Sequence, residues 1–371
     1  MNPPDPNSGA PSPVRPSAVF LDVREVDVIA PNFKQRLSGV TSTLERVVPV
    51  QARTVRIAAL GPKLAPTVPR IRFGDLPKLW SPPAGRTYRV WHARRNIEML
   101  AGVLLRDVLR MPLKLVFTSA SQRHHTAWSR FLIGRMNAVI STSGRTASYL
   151  KRPSTVVRHG IDTEQFRPAI HQADCRARLG LPNLTLVGCF GRIRHQKGTD
   201  VFVHAMIQLM AFRSDLGAVA LGRAVGQHHQ FLANLQREVK DAGLESRFVF
   251  PDEVAPSETP AWYAALDLFV APQRWEGFGV TPLEAMAAGV PVVATSVGAF
   301  PELVVPEITG DIIPPGDVPA MASAIRSILD DPQRLARMGL EARRHVGTHF
   351  SLTGEAAAIN AVYRGLGVEG A

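Results

Sequence analysis

Cysteine is almost missing from this chain: Cys175 and Cys189 are the two among 371 residues. They sit in one half and fit neither a metal-ligand spacing nor a paired framework, so a disulfide scaffold is excluded and a reducing compartment is expected. Long apolar runs are missing as well. The best of them, residues 285–295, is interrupted by Gly289 and Pro291 and falls short of the roughly 20 residues a transmembrane helix needs, so a soluble or peripheral protein is expected. The chain also has no Asp-x-Asp element of the kind that holds a divalent ion against a diphosphate. No metal and no cofactor are therefore expected, and any anionic substrate must find its cations in side chains. The first seventeen residues are rich in Pro, Ser and Asn without an apolar centre, which reads as a disordered tail and not a signal peptide.

Acidic residues are scarce in the first half only. Residues 1–166 hold 25 Lys and Arg against 10 Asp and Glu, a balance of +15, whereas residues 167–371 hold 18 against 21, a balance of −3. Such a basic half suits anionic lipid headgroups at a membrane surface, a phosphorylated acceptor, or nucleic acid through its phosphates. No recognition-helix signature, zinc pattern or aromatic strand motif accompanies the charge. Nucleic acid is thus not expected as a partner, and a basic nucleic-acid-binding protein stands as the alternative from another class.

What is present is enough apolar residue, 45%, for two α/β domains of about 150–200 residues each. Strand-like runs alternate with helical patterns throughout, the arrangement of parallel sheets. In the first half they fall at residues 26–30, 54–60, 88–92, 114–118 and 138–142. In the second they fall at 184–189, 218–221, 247–250, 268–271 and 292–295.

The segment Glu276-Gly-Phe-Gly-Val-Thr-Pro-Leu-Glu284 places two carboxylates on a glycine-broken loop that runs into a helix. Thr281 suits that helix as its cap, Pro282 as its first turn and Gly289 as its end, ahead of the strand residues 291–295. A helix N-terminus leaves backbone N–H groups unpaired and partly positive, so a loop narrowed by Gly277 and Gly279 can bring a diphosphate onto it. The same spacing also fits a capping box, in which Glu284 merely reaches back to the helix start. A second loop, Gly191-Arg192-Ile-Arg-His-Gln-Lys197-Gly198, follows the run 184–189 and precedes a helical pattern from Thr199. Arg192 and Lys197 thereby lie at a strand-to-helix junction, where α/β sheets bind ligands, although basic loop residues are usually no more than solvated charges.

With Glu276 and Glu284 separated by seven residues downstream of Gly191-Arg192 and Lys197-Gly198, and with Arg158-His-Gly-Ile-Asp162 between the halves, the chain resembles the retaining glycosyltransferases of the family-four group. The resemblance covers roughly residues 25–365. Two positions depart from the pattern: His159 stands where the family often has asparagine, and Pro251-Asp252-Glu253 replaces a glycine-containing turn.

The resemblance implies the GT-B architecture, two Rossmann-like α/β domains facing across a cleft. Residues 18–166, completed by the last helix at 352–366, would form the acceptor-side domain, and 174–350 the nucleotide-sugar domain. It implies metal-independent transfer with retention, in which Arg192, Lys197 and the amides of Gly277, Phe278, Gly279 and Val280 neutralise the departing diphosphate. Glu284 would bind the ribose hydroxyls and Glu276 the sugar. Glu276 as a covalent nucleophile, by analogy with paired glycosidase carboxylates, is the less favoured mechanism. Gly39, in the stretch 36–41, would let the backbone approach the diphosphate. His92 would orient the sugar or accept a proton, and Arg94 and Arg95 would hold an acidic acceptor. Asp252 or Glu253 can accept from guanine N1–H and its amino group, a tilt toward GDP. The stretch 27–42 resembles bacterial lipopolysaccharide-core mannosyltransferases. The expected reaction is therefore mannose from GDP-mannose onto an anionic inner-core glycolipid or oligosaccharide, at the inner face of the cytoplasmic membrane. A UDP-glucose or UDP-N-acetylglucosamine transferase is the alternative.

Overall fold

The computed structural model describes residues 19–35 and 39–368; the expected disordered tail, residues 1–17, lies outside them. Two parallel sheets of six strands carry the fold. The first is built from β1 (Val28–Pro31), β2 (Ile57–Leu60), β3 (Arg89–Ala93), β4 (Leu113–Ser119), β5 (Ala138–Ser141) and β6 (Thr155–Val156) in the order β2-β1-β3-β4-β5-β6. The second contains β7 (Thr185–Phe190), β8 (Leu216–Leu221), β9 (Phe248–Val249), β10 (Leu268–Ala271), β11 (Val292–Thr295) and β12 (Gly310–Ile313) in the order β12-β11-β10-β7-β8-β9. By backbone proximity the chain forms two compact units, one of residues up to Leu115 together with those from Tyr363, the other Val116–Val362.

Strands buried on both faces read as unbroken apolar runs, and β1, β2, β10 and β11 are buried at every position. In the second sheet successive residues point to opposite sides, and the core divides accordingly. Leu186, Phe190, Phe269, Ala271 and Val292 join one apolar cluster with Tyr263, Leu283 and Met286. Val187, Cys189, Leu268, Val270 and Val293 join the other, with Phe202 and Met206 of the helix Thr199–Met210 and Met321 and Ile325 of the helix Val318–Leu329. Helices on both faces hold the sheet rigid, and each fully enclosed large side chain contributes about 1.5–3 kcal/mol. Both cysteines are free and buried. Burial, only partly opposed by Lys197, pushes the Cys189 thiol up to about 12, which removes the reactive thiolate.

Ten of the twelve strands match the apolar runs of the sequence to within a few residues. The two that escaped, β6 and β12, have physical reasons: β6 is two exposed residues, and β12 is Gly-Asp-Ile-Ile. Gly310 is required there, because a Cβ would lie 1.9 Å from the Val292 carbonyl oxygen. Gly39 differs from the loop expected for it. It opens the helix Gly39–Gln51, and residues 36–38 lie outside the described part.

The segment His159–Ile161 is stitched to the start of the last helix, Leu352–Arg364. Ile161 N–H donates to Phe350 O at 2.7 Å and Leu352 N–H to Ile161 O at 3.0 Å. At Gly160 a Cβ would meet Ser351 O at 2.3 Å. Gly160→Ala should therefore force these backbones apart at a cost of about 1–3 kcal/mol, visible as a lower urea midpoint for the unit containing 116–362. An unchanged midpoint would show that the junction yields freely.

Candidate active site

β7 and β10 are hydrogen-bonded neighbours, so the loops leaving their carboxyl ends lie side by side. After β7 the chain turns at Gly191, φ +137°, and Ile193 N–H is held by Arg223 O at 3.1 Å. A short turn, His195–Lys197, then brings Gly198 (φ +72°) against the other loop, where a Cβ would lie 1.9 Å from Pro272 O. Arg274 fastens the two loops together: its guanidinium donates to both carboxylate oxygens of Asp200 at 2.7 Å and to His195 O at 2.7 Å. The result is an ion pair between Lys197 and Glu276, both largely buried.

Glu276 uses its other oxygen to accept from Gly277 N–H at 2.9 Å. The next three amides, those of Phe278, Gly279 and Val280, find no acceptor among the described residues. Gly279 has φ +81°, and a Cβ on it would meet the Phe300 ring at 2.4 Å; only glycine fits the turn of the loop here. Arg192 is exposed and makes no ion pair among the described residues.

The capping box suggested by the spacing does not form. The helix is Thr281–Ala287, the preceding Val280 offers no side-chain cap, and Thr281 Oγ1 is buried without a partner. Glu284 instead accepts from the Tyr263 hydroxyl at 2.9 Å. Burial first, then the Glu284 charge, holds the Tyr263 pKa well above 10, so the phenol keeps its proton and serves as a fixed donor. Tyr263 was not apparent in the sequence, because nothing local marks a tyrosine twenty-one residues upstream as the partner of Glu284.

Phe278 is 5% exposed because the His159 ring stands edge-on to it, centroids 4.8 Å apart. His159 Nδ1 is 2.8 Å from Glu355 Oε1, and Glu355 Oε2 accepts Gly160 N–H at 2.8 Å. The residue that departs from the family's asparagine thus props the glycine loop. Beyond β9, Asp252 is exposed and accepts from Glu253 N–H at 2.7 Å, while Glu253 lies 3.9 Å from Arg223.

The remaining expected residues belong to the unit that ends at Leu115. His92 closes β3 fully buried, with Nδ1 2.6 Å from the Tyr363 hydroxyl. Arg95 donates to Asn32 Oδ1 and Glu98 Oε1 at 2.7 Å each, and to Thr41 Oγ1 at 3.1 Å. Its guanidinium thereby ties the loop after β1 to the helix that Gly39 opens. Sequence reasoning missed this network; the one local hint of it is the i,i+3 spacing of Arg95 and Glu98. Arg94 is less engaged: its side chain donates to His92 O at 3.4 Å, while Glu98 binds its backbone N–H at 2.7 Å. Among the described residues no group of three or more His, Cys, Asp or Glu could hold a metal ion.

Among known proteins, residues 185–331 match the family described as glycosyl transferases group 1. Over 351 residues the chain is 57% identical to the lipopolysaccharide core biosynthesis mannosyltransferase LpsB of Rhizobium meliloti (strain 1021), covering 94% of this chain and 99% of that one. The corresponding mannosyltransferase LpcC of Rhizobium leguminosarum bv. viciae is 50% identical over 346 residues, 93% and 98% of the two chains. Among solved structures, HepE of Anabaena in complex with UDP covers 92% of this chain and 100% of its own, with a TM-score of 0.79 at 20% identity, a likeness of fold alone.

Burial, then the Arg94 charge, holds the His92 pKa well below 6.5. The unfolded chain therefore binds a proton that the folded chain refuses. Stability from this group is complete above pH 6.5 and falls as pH drops below it, by about 1.4 kcal/mol per unit. His92→Gln should flatten the pH dependence of urea stability below pH 6.5 by that slope; an unchanged slope would mean the imidazole is protonated inside the fold.

Proposed function

The chain belongs to the group 1 glycosyltransferases, and from that premise we propose that it transfers mannose from GDP-mannose to an anionic lipopolysaccharide-core acceptor with retention of anomeric configuration. Its two six-stranded parallel sheets are those of the GT-B fold. The observation that carries the reading is the meeting of Lys197, Glu276 and three acceptor-free amides at the carboxyl ends of β7 and β10.

In the proposed mechanism the bond between the sugar's anomeric carbon and the β-phosphate oxygen breaks, the acceptor hydroxyl oxygen bonds to the same face of the oxocarbenium-like sugar, and its proton passes to the departing phosphate. The nucleoside diphosphate leaves with the charge. Lys197, Arg192 and the amides of Phe278, Gly279 and Val280 receive that charge, the kind of preorganised electrostatic help that often dominates catalysis. Glu276 holds Lys197 in place and faces the sugar. Glu284, fixed by Tyr263, accepts from the ribose hydroxyls. Asp252 or Glu253 receives the guanine N–H groups. No metal is assigned a part.

The acceptor's chemistry suits a peripheral enzyme working at the inner membrane surface. Residues 108–161 contain nine Lys and Arg and no Asp or Glu. Within them Trp128 and Phe131 are stacked, centroids 5.7 Å apart, and about half exposed. Aromatics flanked by arginine suit the interface of an anionic bilayer. No helix among the described residues is long and apolar enough to cross a membrane.

A panel of GDP- and UDP-sugars, assayed for slow hydrolysis without acceptor and then for transfer to truncated core oligosaccharide, tests the reading. GDP-mannose should be turned over best, and Arg192→Ala or Lys197→Ala should each lower the rate by about 10²- to 10³-fold. Turnover of UDP-sugars alone would move the donor assignment. No turnover of any nucleotide-sugar, or variants as active as the parent, would end it.

A further inference from the structure

Gln122 lies in the loop after β4 and is 7% exposed, yet its carboxamide Nε2 is buried with no hydrogen-bond acceptor. Buried polar groups are almost always paired, and leaving one without a partner is costly. The loop's position suggests what offsets that cost. The carbonyl oxygen of Ala120, two residues before Gln122, lies 3.2 Å from where a Cβ at Gly277 would be. The loop after β4 is thus pressed against the glycine loop, one residue from Glu276.

Two other strand ends carry the same anomaly. Thr142, whose N–H is held by Ser119 O at 3.1 Å, has a buried, unpaired hydroxyl, and Gln273, in the loop after β10, has an unpaired side-chain oxygen. Neutral, enclosed and unpaired donors and acceptors therefore lie at the carboxyl ends of β4, β5 and β10. Uncharged groups of this kind match the hydroxyls of a sugar, whereas the phosphates are matched by Lys197 and Arg192.

Building on the function proposed above, we propose that Gln122 is a specificity-determining residue whose side-chain N–H donates to a hydroxyl of the transferred sugar. A site built to bond a hydroxyl discriminates strongly against a ligand lacking it, because the buried partner is then left unpaired. The loop after β4 would then read the sugar, and the loops after β7 and β10 the diphosphate.

The test measures GDP and GDP-mannose binding by calorimetry, donor hydrolysis and thermal midpoint for the parent, Gln122→Met and Gln122→Glu. Methionine keeps the volume without the N–H donor, and glutamate keeps the shape with acceptors only. Both variants should bind GDP as the parent does and GDP-mannose about tenfold or more weakly, with Gln122→Met melting no lower than the parent. With a set of singly deoxygenated GDP-mannoses, the Gln122→Met penalty should vanish for the one lacking the recognised hydroxyl. Equal weakening of GDP and GDP-mannose together with a lower midpoint would show a structural role and overturn the proposal. Unchanged GDP-mannose binding and hydrolysis would overturn it as well, leaving the donor site intact. A folded parent that binds neither ligand would overturn the donor reading first and this inference with it.

Discussion

The ion pair between Lys197 and Glu276 is the constraint around which the site is organised. Each residue sits on a loop that would otherwise be free to wander, and each loop leaves one of two adjacent strands. A long, flexible lysine loses about 2 kcal/mol of rotamer freedom when fixed, a cost met here before any substrate arrives. Gly198 against Pro272, and Arg274 against Asp200, bring the loops close enough for the pair to form. The acceptor-free amides that follow Glu276 then face a defined place, because Gly277 N–H is already bound and Gly279 turns the chain.

A second, buried arrangement does comparable work around the glycine that opens the first long helix. Arg95, Glu98, Asn32 and Thr41 are enclosed and mutually bonded. Replacing a buried ion pair by well-packed apolar groups often leaves stability unchanged or improved, so this network is better understood as fixing geometry than as supplying stability. It holds the strand-end loop and the helix start in register. His159 and Glu355 perform the same service for Phe278.

Much of this was legible in the residues. The apolar runs located ten strands because a strand buried on both faces must be apolar throughout, and the two loops announced themselves through glycine beside charge. The misreadings are equally physical. Thr281 has the chemistry of a cap, but the helix begins one residue earlier than a cap requires, so its hydroxyl is buried inside the first turn. Glu284 was drawn to a tyrosine that only the packing of the helix Thr259–Ala264 brings near.

Local order, composition and charge asymmetry are one-dimensional properties, and the sequence alone settled them: an α/β chain, two parallel sheets, a basic first half and two loops that set glycine beside charge. Partnership is three-dimensional. Which cation meets Glu276, which hydroxyl meets Glu284 and which buried amides remain without a partner depend on contacts between residues 21 to 196 positions apart. Only the packed structure decided them, because burial removes water as the alternative partner and makes each remaining pairing a matter of distance.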